Sequence, residues 1–180
     1  MNDPICIRPA ERADLPAILA IYNEAVLTTT ASYDYEPRSH EAQEAWFDDH
    51  ATRDLPVLVA ESDAGEILGW STLSAFRPRP GYRFTCENSV YVAASARGRG
   101  LGKRLLAPLI EEARRLGFRS IIAVIDAQND VSLRLHENFG FERAALLRNV
   151  GYKFDRWLDI VFMQLQLREE RWSCPSNESD

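Results

Sequence analysis

The sequence predicts a mixed α/β fold in which helices flank one central sheet. Segments with helical spacing of apolar residues alternate with short apolar runs of strand length. One of these runs, residues 121–125, is apolar at every position, as in a strand buried on both faces. No internal repeat is evident, so we assign residues 1–167 to a single domain and the polar residues 168–180 to a disordered tail.

Apolar periodicity and turn residues divide the first half of the chain into helices and strands. The segment between the two helices, residues 28–39, has no periodicity and is predicted to be a loop. Trp46 and Phe47 should face the core from the second helix. The predicted elements are a strand at 5–9, helices at 15–26 and 40–50, and strands at 57–60, 67–73 and 84–92, with turns at 63–65 and 77–81.

A strongly amphipathic helix begins the second half of the chain. Its apolar residues, from Leu101 onward, fall on one face, and Gly117 ends the pattern. Pro108 should kink this helix because proline removes a backbone donor. Asn129 or Asp130 should cap the next helix. The remaining predicted elements are a strand at 121–125, a helix that ends at residue 140, and strands at 142–150 and 157–167.

Composition argues against several classes of protein. A net charge of −6 disfavours a general nucleic-acid binder, which needs a basic face. No apolar run approaches the roughly 20 residues that span a bilayer, and the N-terminus does not resemble a secretory signal. Cys6, Cys86 and Cys174 are too widely spaced for a zinc site or a disulfide framework. We therefore expect a cytoplasmic protein that binds no metal.

A glycine-rich turn, RGRGLG at residues 97–102, joins a predicted strand to the amphipathic helix. Successive N–H groups there can converge on an anion, the helix N-terminus adds partial positive charge, and glycine permits close approach. The turn is not a P-loop, because Gly102 and Lys103 are followed by Arg104. It is not a dinucleotide fingerprint either, because its glycines are spaced differently. A plain glycine turn is the alternative.

Arg97, Gly100 and Gly102 match the Q/R-x-x-G-x-G/A signature, and residues 5–167 resemble the GNAT superfamily of N-acetyltransferases. The resemblance implies a central, mostly antiparallel twisted sheet flanked by helices. It also implies acetyl-CoA as co-substrate, with its pyrophosphate on the turn and its carbonyls on the N–H groups of Tyr91 and Val92. Asn129 would bind the pantetheine arm, cap a helix, or do both. The implied acetyl-CoA-binding residues are Val90, Tyr91, Val92, Arg97, Gly98, Arg99, Gly100, Leu101, Gly102 and Asn129.

Within that superfamily, the chain resembles the phosphinothricin N-acetyltransferase group, which includes methionine sulfoximine and methionine sulfone acetyltransferases. This resemblance implies direct acetyl transfer to the α-amine of a small amino-acid analogue. The segments that carry it lie at residues 77–82, 85–92, 129–141 and 151–157.

Two titratable residues resemble the catalytic residues of that group. Glu87 resembles the general base, whose pKa must be raised by burial if it is to accept a proton near neutral pH. A solvated carboxylate is the alternative. His136 lies where many superfamily members carry a tyrosine that protonates the leaving thiolate. It can act as that acid, help Glu87 to deprotonate the amine, or be structural. Cys86 suggests an acyl-enzyme route, but strand alternation turns it away from Glu87, so we expect a core residue.

The loop at residues 77–83 carries three arginines in an acidic protein. Arginine binds carboxylate and phosphinate oxygens in pairs, and the two prolines should stiffen the loop. We therefore predict that Arg77, Arg79 and Tyr82, together with Glu87, contact the substrate. A solvated surface loop is the alternative.

Two other functions stay open at this point. Another GNAT branch would acetylate a protein N-terminus or an aminoglycoside, although a polycationic aminoglycoside favours acidic loops. A coenzyme-A-binding sensor domain would leave Glu87 and His136 dispensable. Apart from a small-molecule substrate, the expected partner is a second copy of the chain bound through the final strands, because related enzymes are commonly dimers. Neither nucleic acid nor a membrane is expected.

Overall fold

The computed structural model describes residues 4–167 and confirms the mixed α/β fold. The predicted tail at residues 168–180 lies outside the described residues. The helices are α1 (Leu15–Thr28), α2 (His40–Thr52), α3 (Leu101–Arg115) and α4 (Asp130–Glu137). The strands are β1 (Ile5–Pro9), β2 (Val57–Ser62), β3 (Ile67–Ala75), β4 (Thr85–Val92), β5 (Ser120–Asp126), β6 (Glu142–Lys153) and β7 (Arg156–Gln166).

The strands form one sheet in the order β1-β2-β3-β4-β5-β7-β6. Every neighbouring pair is antiparallel except β4 and β5, which confirms the mostly antiparallel sheet. The parallel pairing covers only residues 85–87 against residues 120–122. Both strands continue beyond these residues without pairing with each other, so a gap opens between them in the middle of the sheet.

Helices cover both faces of the sheet and bury its apolar side chains. On one face, Leu106 of α3 lies in the largest core cluster. On the other face, Ile18 of α1 packs with Trp70 of β3, and the partly buried Trp46 and Phe47 of α2 pack against the same cluster, as predicted. None of the helices within residues 4–167 is long and apolar enough to cross a membrane.

Several element boundaries differ from those predicted. α4 ends at Glu137 and not at Gly140, which has a left-handed φ of 82° and lies in the turn after the helix. β6 extends to Lys153, past the predicted end at residue 150. The two residues between β6 and β7, at positions 154 and 155, have φ values of 51° and 56°, the backbone of a tight hairpin turn. α3 is continuous through Pro108.

Candidate active site

The gap between β4 and β5 is the floor of a cleft of about 900 Å³. Residues 87–92 of β4 and residues 123–126 of β5 line it from the sheet. The turn before α3, the first turns of α4 and the loop after α1 complete its walls. The cleft therefore exists because two parallel strands diverge, and it brings together segments that are far apart in the sequence.

The glycine-rich turn lines the cleft through Gly98 and Gly100, whose φ values are 75° and 78°. In this left-handed conformation the N–H groups of residues 98–102 donate to no acceptor within residues 4–167. An added Cβ at either glycine would meet no atom within 4 Å, so the space beside the turn is open. Free N–H groups at the start of α3 fit a pyrophosphate, which would satisfy them and the helix dipole.

Side chains of the turn differ in their placement. Arg97 lines the cleft, but its Nε donates to the Val92 carbonyl at 3.2 Å and its Nη2 lies 3.6 Å from Glu24. Leu101 is buried and anchors the start of α3. Arg99 is exposed and is not among the residues that line the cleft. The backbone N–H groups of the turn are thus better placed to donate hydrogen bonds to a pyrophosphate than the side chains of Arg97 and Arg99 are.

The backbone of β4 presents N–H groups to the gap at alternate residues. Ala93 donates its N–H to β3, whereas the carbonyl of Phe84 accepts from the segment that enters β5. Because the N–H and C=O of one residue point the same way in antiparallel pairing, the even-numbered residues face the gap. The N–H groups of Val90 and Val92 therefore point toward the cleft, and that of Tyr91 faces β3.

Glu87 lines the cleft from the last residue of β4 that pairs with β5. Burial raises the pKa of its carboxyl, and the positive charge of Arg77 offsets a smaller part of that rise. No donor among residues 4–167 makes a hydrogen bond that stabilises the carboxylate. A half-buried carboxylate with an elevated pKa and free oxygens is the chemical requirement for a general base near neutral pH.

His136 of α4 lines the same cleft but lies on the other face of β4 from Glu87. Its Nδ1 is 2.8 Å from the Ser132 carbonyl, which can only accept, so Nδ1 carries the proton. Nε2 then accepts from the Asn88 amide nitrogen at 2.9 Å. Burial lowers the pKa of the ring, more than its bond to Ser132 raises it. The histidine is neutral in this arrangement, with both nitrogens engaged.

Comparison with known proteins identifies the family. Residues 18–141 match the acetyltransferase (GNAT) family. The chain belongs to that family. Over 165 residues it is 48% identical to a methionine sulfoximine/methionine sulfone acetyltransferase from Pseudomonas aeruginosa, covering 92% of this chain and 96% of that protein.

Solved structures of GNAT proteins superpose closely on the whole fold. One is a phosphinothricin acetyltransferase from Sinorhizobium meliloti in complex with acetyl-CoA, with a TM-score of 0.90, 39% identity, and coverage of 97% of this chain and 94% of that one. Another is a ribosomal-protein-alanine N-acetyltransferase from Brucella melitensis, with a TM-score of 0.87, 46% identity, and coverage of 89% and 99%. The chain is an acetyl-CoA-dependent acyltransferase of the GNAT family.

Asn129 both caps a helix and lines the cleft of this GNAT domain. Its Oδ1 accepts from the backbone N–H of Ser132 at 3.1 Å, at the start of α4. Its side-chain nitrogen donates to no protein acceptor within residues 4–167 and is left for a ligand. The two roles weighed from the sequence are thus compatible in one side chain. Within the same residues, no group of three His, Cys, Asp or Glu side chains is arranged to hold a metal ion.

The arginine loop lies outside the lining of the cleft. Arg77 stacks on Phe76 at 4.4 Å and donates to the carbonyl of that residue. Tyr82 packs edge to face on the same ring and is 45% exposed. Arg79 is exposed as well. Of these residues, Arg77 affects the site electrostatically, because its positive charge lowers the pKa of Glu87.

Cys86 is fully buried in the main core cluster, on the opposite face of β4 from Glu87. Burial raises the pKa of its thiol to about 12. The thiolate needed for an acyl-enzyme is therefore disfavoured, in agreement with strand alternation.

Sequence reasoning missed three parts of the cleft. Asn88, the partner of His136, lies in the segment 85–92 that carries the family resemblance, but that resemblance gives it no role. Residues 29–33 were assigned to a loop without a role, yet they all line the cleft. Asp126 was also missed; it is 4% exposed and accepts from the Thr30 hydroxyl of that loop. A buried-strand pattern that ends in an aspartate was the one available signal for it.

Proposed function

We propose that this enzyme transfers the acetyl group of acetyl-CoA directly to the α-amine of a small amino-acid analogue such as methionine sulfoximine, methionine sulfone or phosphinothricin. The observation that carries this proposal is the half-buried Glu87 carboxylate, which lines the same cleft as the free N–H groups of the glycine-rich turn. The names of the Pseudomonas and Sinorhizobium relatives support the substrate group.

Glu87 accepts the proton that the amine must lose as its nitrogen attacks the thioester carbon. The N–H groups of Val90 and Val92 point into the gap, where they can stabilise the oxyanion that forms on the carbonyl oxygen. The carbon–sulfur bond then breaks, the thiolate takes up a proton from solvent, and Glu87 returns its own proton to solvent, which restores the carboxylate. With Cys86 buried and protonated, no covalent enzyme intermediate takes part.

His136 contributes to catalysis through its position in the cleft, and we assign it the neutral form. To protonate the thiolate, it would have to release the bond from Asn88 and gain a second proton, against the direction in which burial moves its pKa. Proton acceptance therefore falls mainly to Glu87. In this proposal His136 holds the side chain of Asn88 in place on the β4 side of the gap. It assists proton transfer only after its hydrogen bond from Asn88 is broken.

Arg77, Arg79 and Tyr82 remain our candidates for the oxygen groups of the substrate, although the loop stands beside the cleft. Arg79 is exposed and its side chain makes no hydrogen bond within residues 4–167, so its guanidinium is free to meet a carboxylate. Arg79→Ala should raise the Michaelis constant of an oxyanion-bearing substrate by about 10- to 100-fold, the loss of one charge-assisted hydrogen bond. Its turnover number should change far less.

A protein N-terminus is the second candidate substrate. The Brucella melitensis ribosomal-protein-alanine N-acetyltransferase is 46% identical to this chain, and the name of that protein supports this alternative. A peptide would have to enter through the open end of the cleft. A free amino acid is anchored by its carboxylate, so the two substrates differ in their dependence on the arginine loop.

We also propose that the enzyme is a cytoplasmic homodimer that pairs through β6. This strand is the edge of the sheet, and residues 142–150 are exposed along its whole length. An exposed apolar edge is prone to pair with another chain. The exposed apolar side chains on β6 and its hairpin are Leu146, Leu147, Val150, Tyr152, Phe154 and Trp157. Sedimentation should give the mass of two chains, and Leu146→Lys should reduce it to one.

A substrate panel tests the proposal. Release of coenzyme A would be followed with methionine sulfoximine, methionine sulfone, phosphinothricin, common amino acids, an alanine-terminated ribosomal peptide and an aminoglycoside. We expect the amino-acid analogues to have the highest kcat/KM. Preference for the peptide would favour a protein N-terminus as the substrate. No acetylation of any amine would contradict both candidate substrates.

A further inference from the structure

One wall of the cleft has no regular secondary structure. Residues 29–33, which we call the cleft loop, all line the cavity and follow directly on the end of α1. α2 begins only at His40. No ladder of backbone hydrogen bonds fixes the cleft loop, so its shape depends on contacts with other elements.

Side chains of several elements each form a hydrogen bond with one residue of the cleft loop. Tyr91 of β4 donates to the Ala31 carbonyl at 3.3 Å. Thr30 donates to Asp126 of β5. Ser32 shares a hydrogen bond of 3.1 Å with the hydroxyl of a tyrosine on α1. Each of these hydrogen bonds fixes one residue. None of them fixes the first residues of the cleft loop relative to its last residues.

Lys153, at the end of β6, spans the cleft loop. It is 3% exposed, and its ammonium donates to the Thr29 carbonyl at 3.0 Å and to the Ser32 carbonyl at 2.5 Å. No carboxylate within residues 4–167 lies at ion-pair distance from it. Lysine is seldom buried without a charged partner, and an apolar side chain would fill the space without loss of hydration. The ammonium also lies 5.2 Å from the ring centroid of the neighbouring Phe154, and its two hydrogen bonds to the carbonyls are what tie it to the cleft loop.

Gly151 supports the cleft loop from the same strand. A Cβ added to Gly151 would lie 2.6 Å from Cε1 of Tyr33, closer than atoms in proteins approach. The ring of Tyr33 consequently packs directly on the backbone of β6. The end of β6 thus holds both carbonyls and the aromatic side chain of the cleft loop.

We propose that Lys153 is a positioning residue for the amine substrate, because it fixes the wall against which that substrate packs. This inference rests on the proposed function, since it places the substrate amine in the cleft. Within residues 4–167, the side chain of Lys153 donates to the cleft loop and makes no hydrogen bond to the turn before α3 or to β4, the elements whose free N–H groups fit acetyl-CoA. Its loss should therefore affect the amine substrate and spare acetyl-CoA.

The test compares Lys153→Met, which keeps the apolar stem, with Arg119→Met, an exposed cation that precedes β5 and does not line the cleft. Lys153→Met should raise the Michaelis constant for methionine sulfoximine by about 10- to 100-fold, as expected for charge-assisted hydrogen bonds. The dissociation constant of acetyl-CoA should stay within about twofold. Gly151→Ala should give the same pattern by displacing Tyr33, and Arg119→Met should behave like the wild type.

Hydrogen exchange supplies a readout that does not depend on activity. The amides of Ala31 and Asp34 donate to side chains of the cleft-loop segment, so they should exchange slowly in the wild type and faster in Lys153→Met. Unchanged exchange, or an unchanged Michaelis constant in a folded variant, would overturn the inference. If Lys153→Met does not fold, Gly151→Ala decides in its place. If the wild type acetylates no amino-acid analogue, the proposed function fails, while the exchange rates still decide the role of Lys153.

Discussion

Substitution of Gly100 by alanine tests the cofactor turn with a built-in control. Gly100 has a φ of 78°, and no atom lies within 4 Å of an added Cβ. The change therefore introduces left-handed strain without a clash, at about 1–2 kcal/mol. Gly65, in the turn between β2 and β3, has the same φ of 78° and does not line the cleft. Gly65→Ala should lose a similar amount of stability.

The two variants should differ in their affinity for acetyl-CoA. A Cβ at Gly100 occupies the space beside the free N–H groups and displaces at least one of them from the pyrophosphate. Loss of one hydrogen bond to a charged group is worth about 1.5–3 kcal/mol, or roughly 10- to 100-fold in the dissociation constant. Gly65→Ala should bind acetyl-CoA like the wild type.

Titration calorimetry with acetyl-CoA, together with thermal denaturation of each variant, distinguishes strain from binding. Equal melting temperatures and a weaker affinity in Gly100→Ala alone would support the turn as the pyrophosphate site. Equal affinity in both variants would refute it, because strain at Gly100 would then have no consequence for the ligand.

Three further results are expected. Arg77→Gln removes the positive charge that lowers the pKa of Glu87, so the acid limb of the kcat/KM profile should move to higher pH, whereas Arg79→Gln should leave it in place. Burial holds the pKa of His136 below 6.5, so the unfolded chain takes up the proton first and stability falls as the pH drops below about 6.5. Urea denaturation of His136→Asn should show a shallower loss between neutral and mildly acidic pH; an identical slope would exclude this contribution. Cys86→Ala should lose about 1 kcal/mol of stability and keep its turnover, and an inactive folded variant would reopen the acyl-enzyme route.

Patterns that are local in the sequence predicted most of the fold. The spacing of apolar residues located α1, α3 and the buried β5, because burial imposes a period on the side chains that the sequence displays directly. Boundaries were less predictable. The end of α4 was placed too far along because the helical pattern extends into a turn that closes only at Gly140.

Some residues of the candidate site could be predicted from the sequence, and others could be recognised only in the structure. The turn at residues 97–102 and Glu87 carry motifs, and the structure places both at one cleft. Asn88 and Lys153 lie in segments that resemble the family, but the resemblance gives them no role, since their importance arises from contacts with distant parts of the chain. The position of the arginine loop beside the cleft also depends on the local packing of Phe76 and Tyr82, which composition does not reveal.

The most direct test of the central claim is the turnover of Glu87→Gln with acetyl-CoA and methionine sulfoximine. Glutamine keeps the size of the side chain and cannot accept the proton, so we expect kcat to fall by about two to four orders of magnitude. The affinity for acetyl-CoA should be unchanged, because the N–H groups of the turn do not depend on Glu87. Wild-type turnover in the folded variant would contradict general-base catalysis by Glu87.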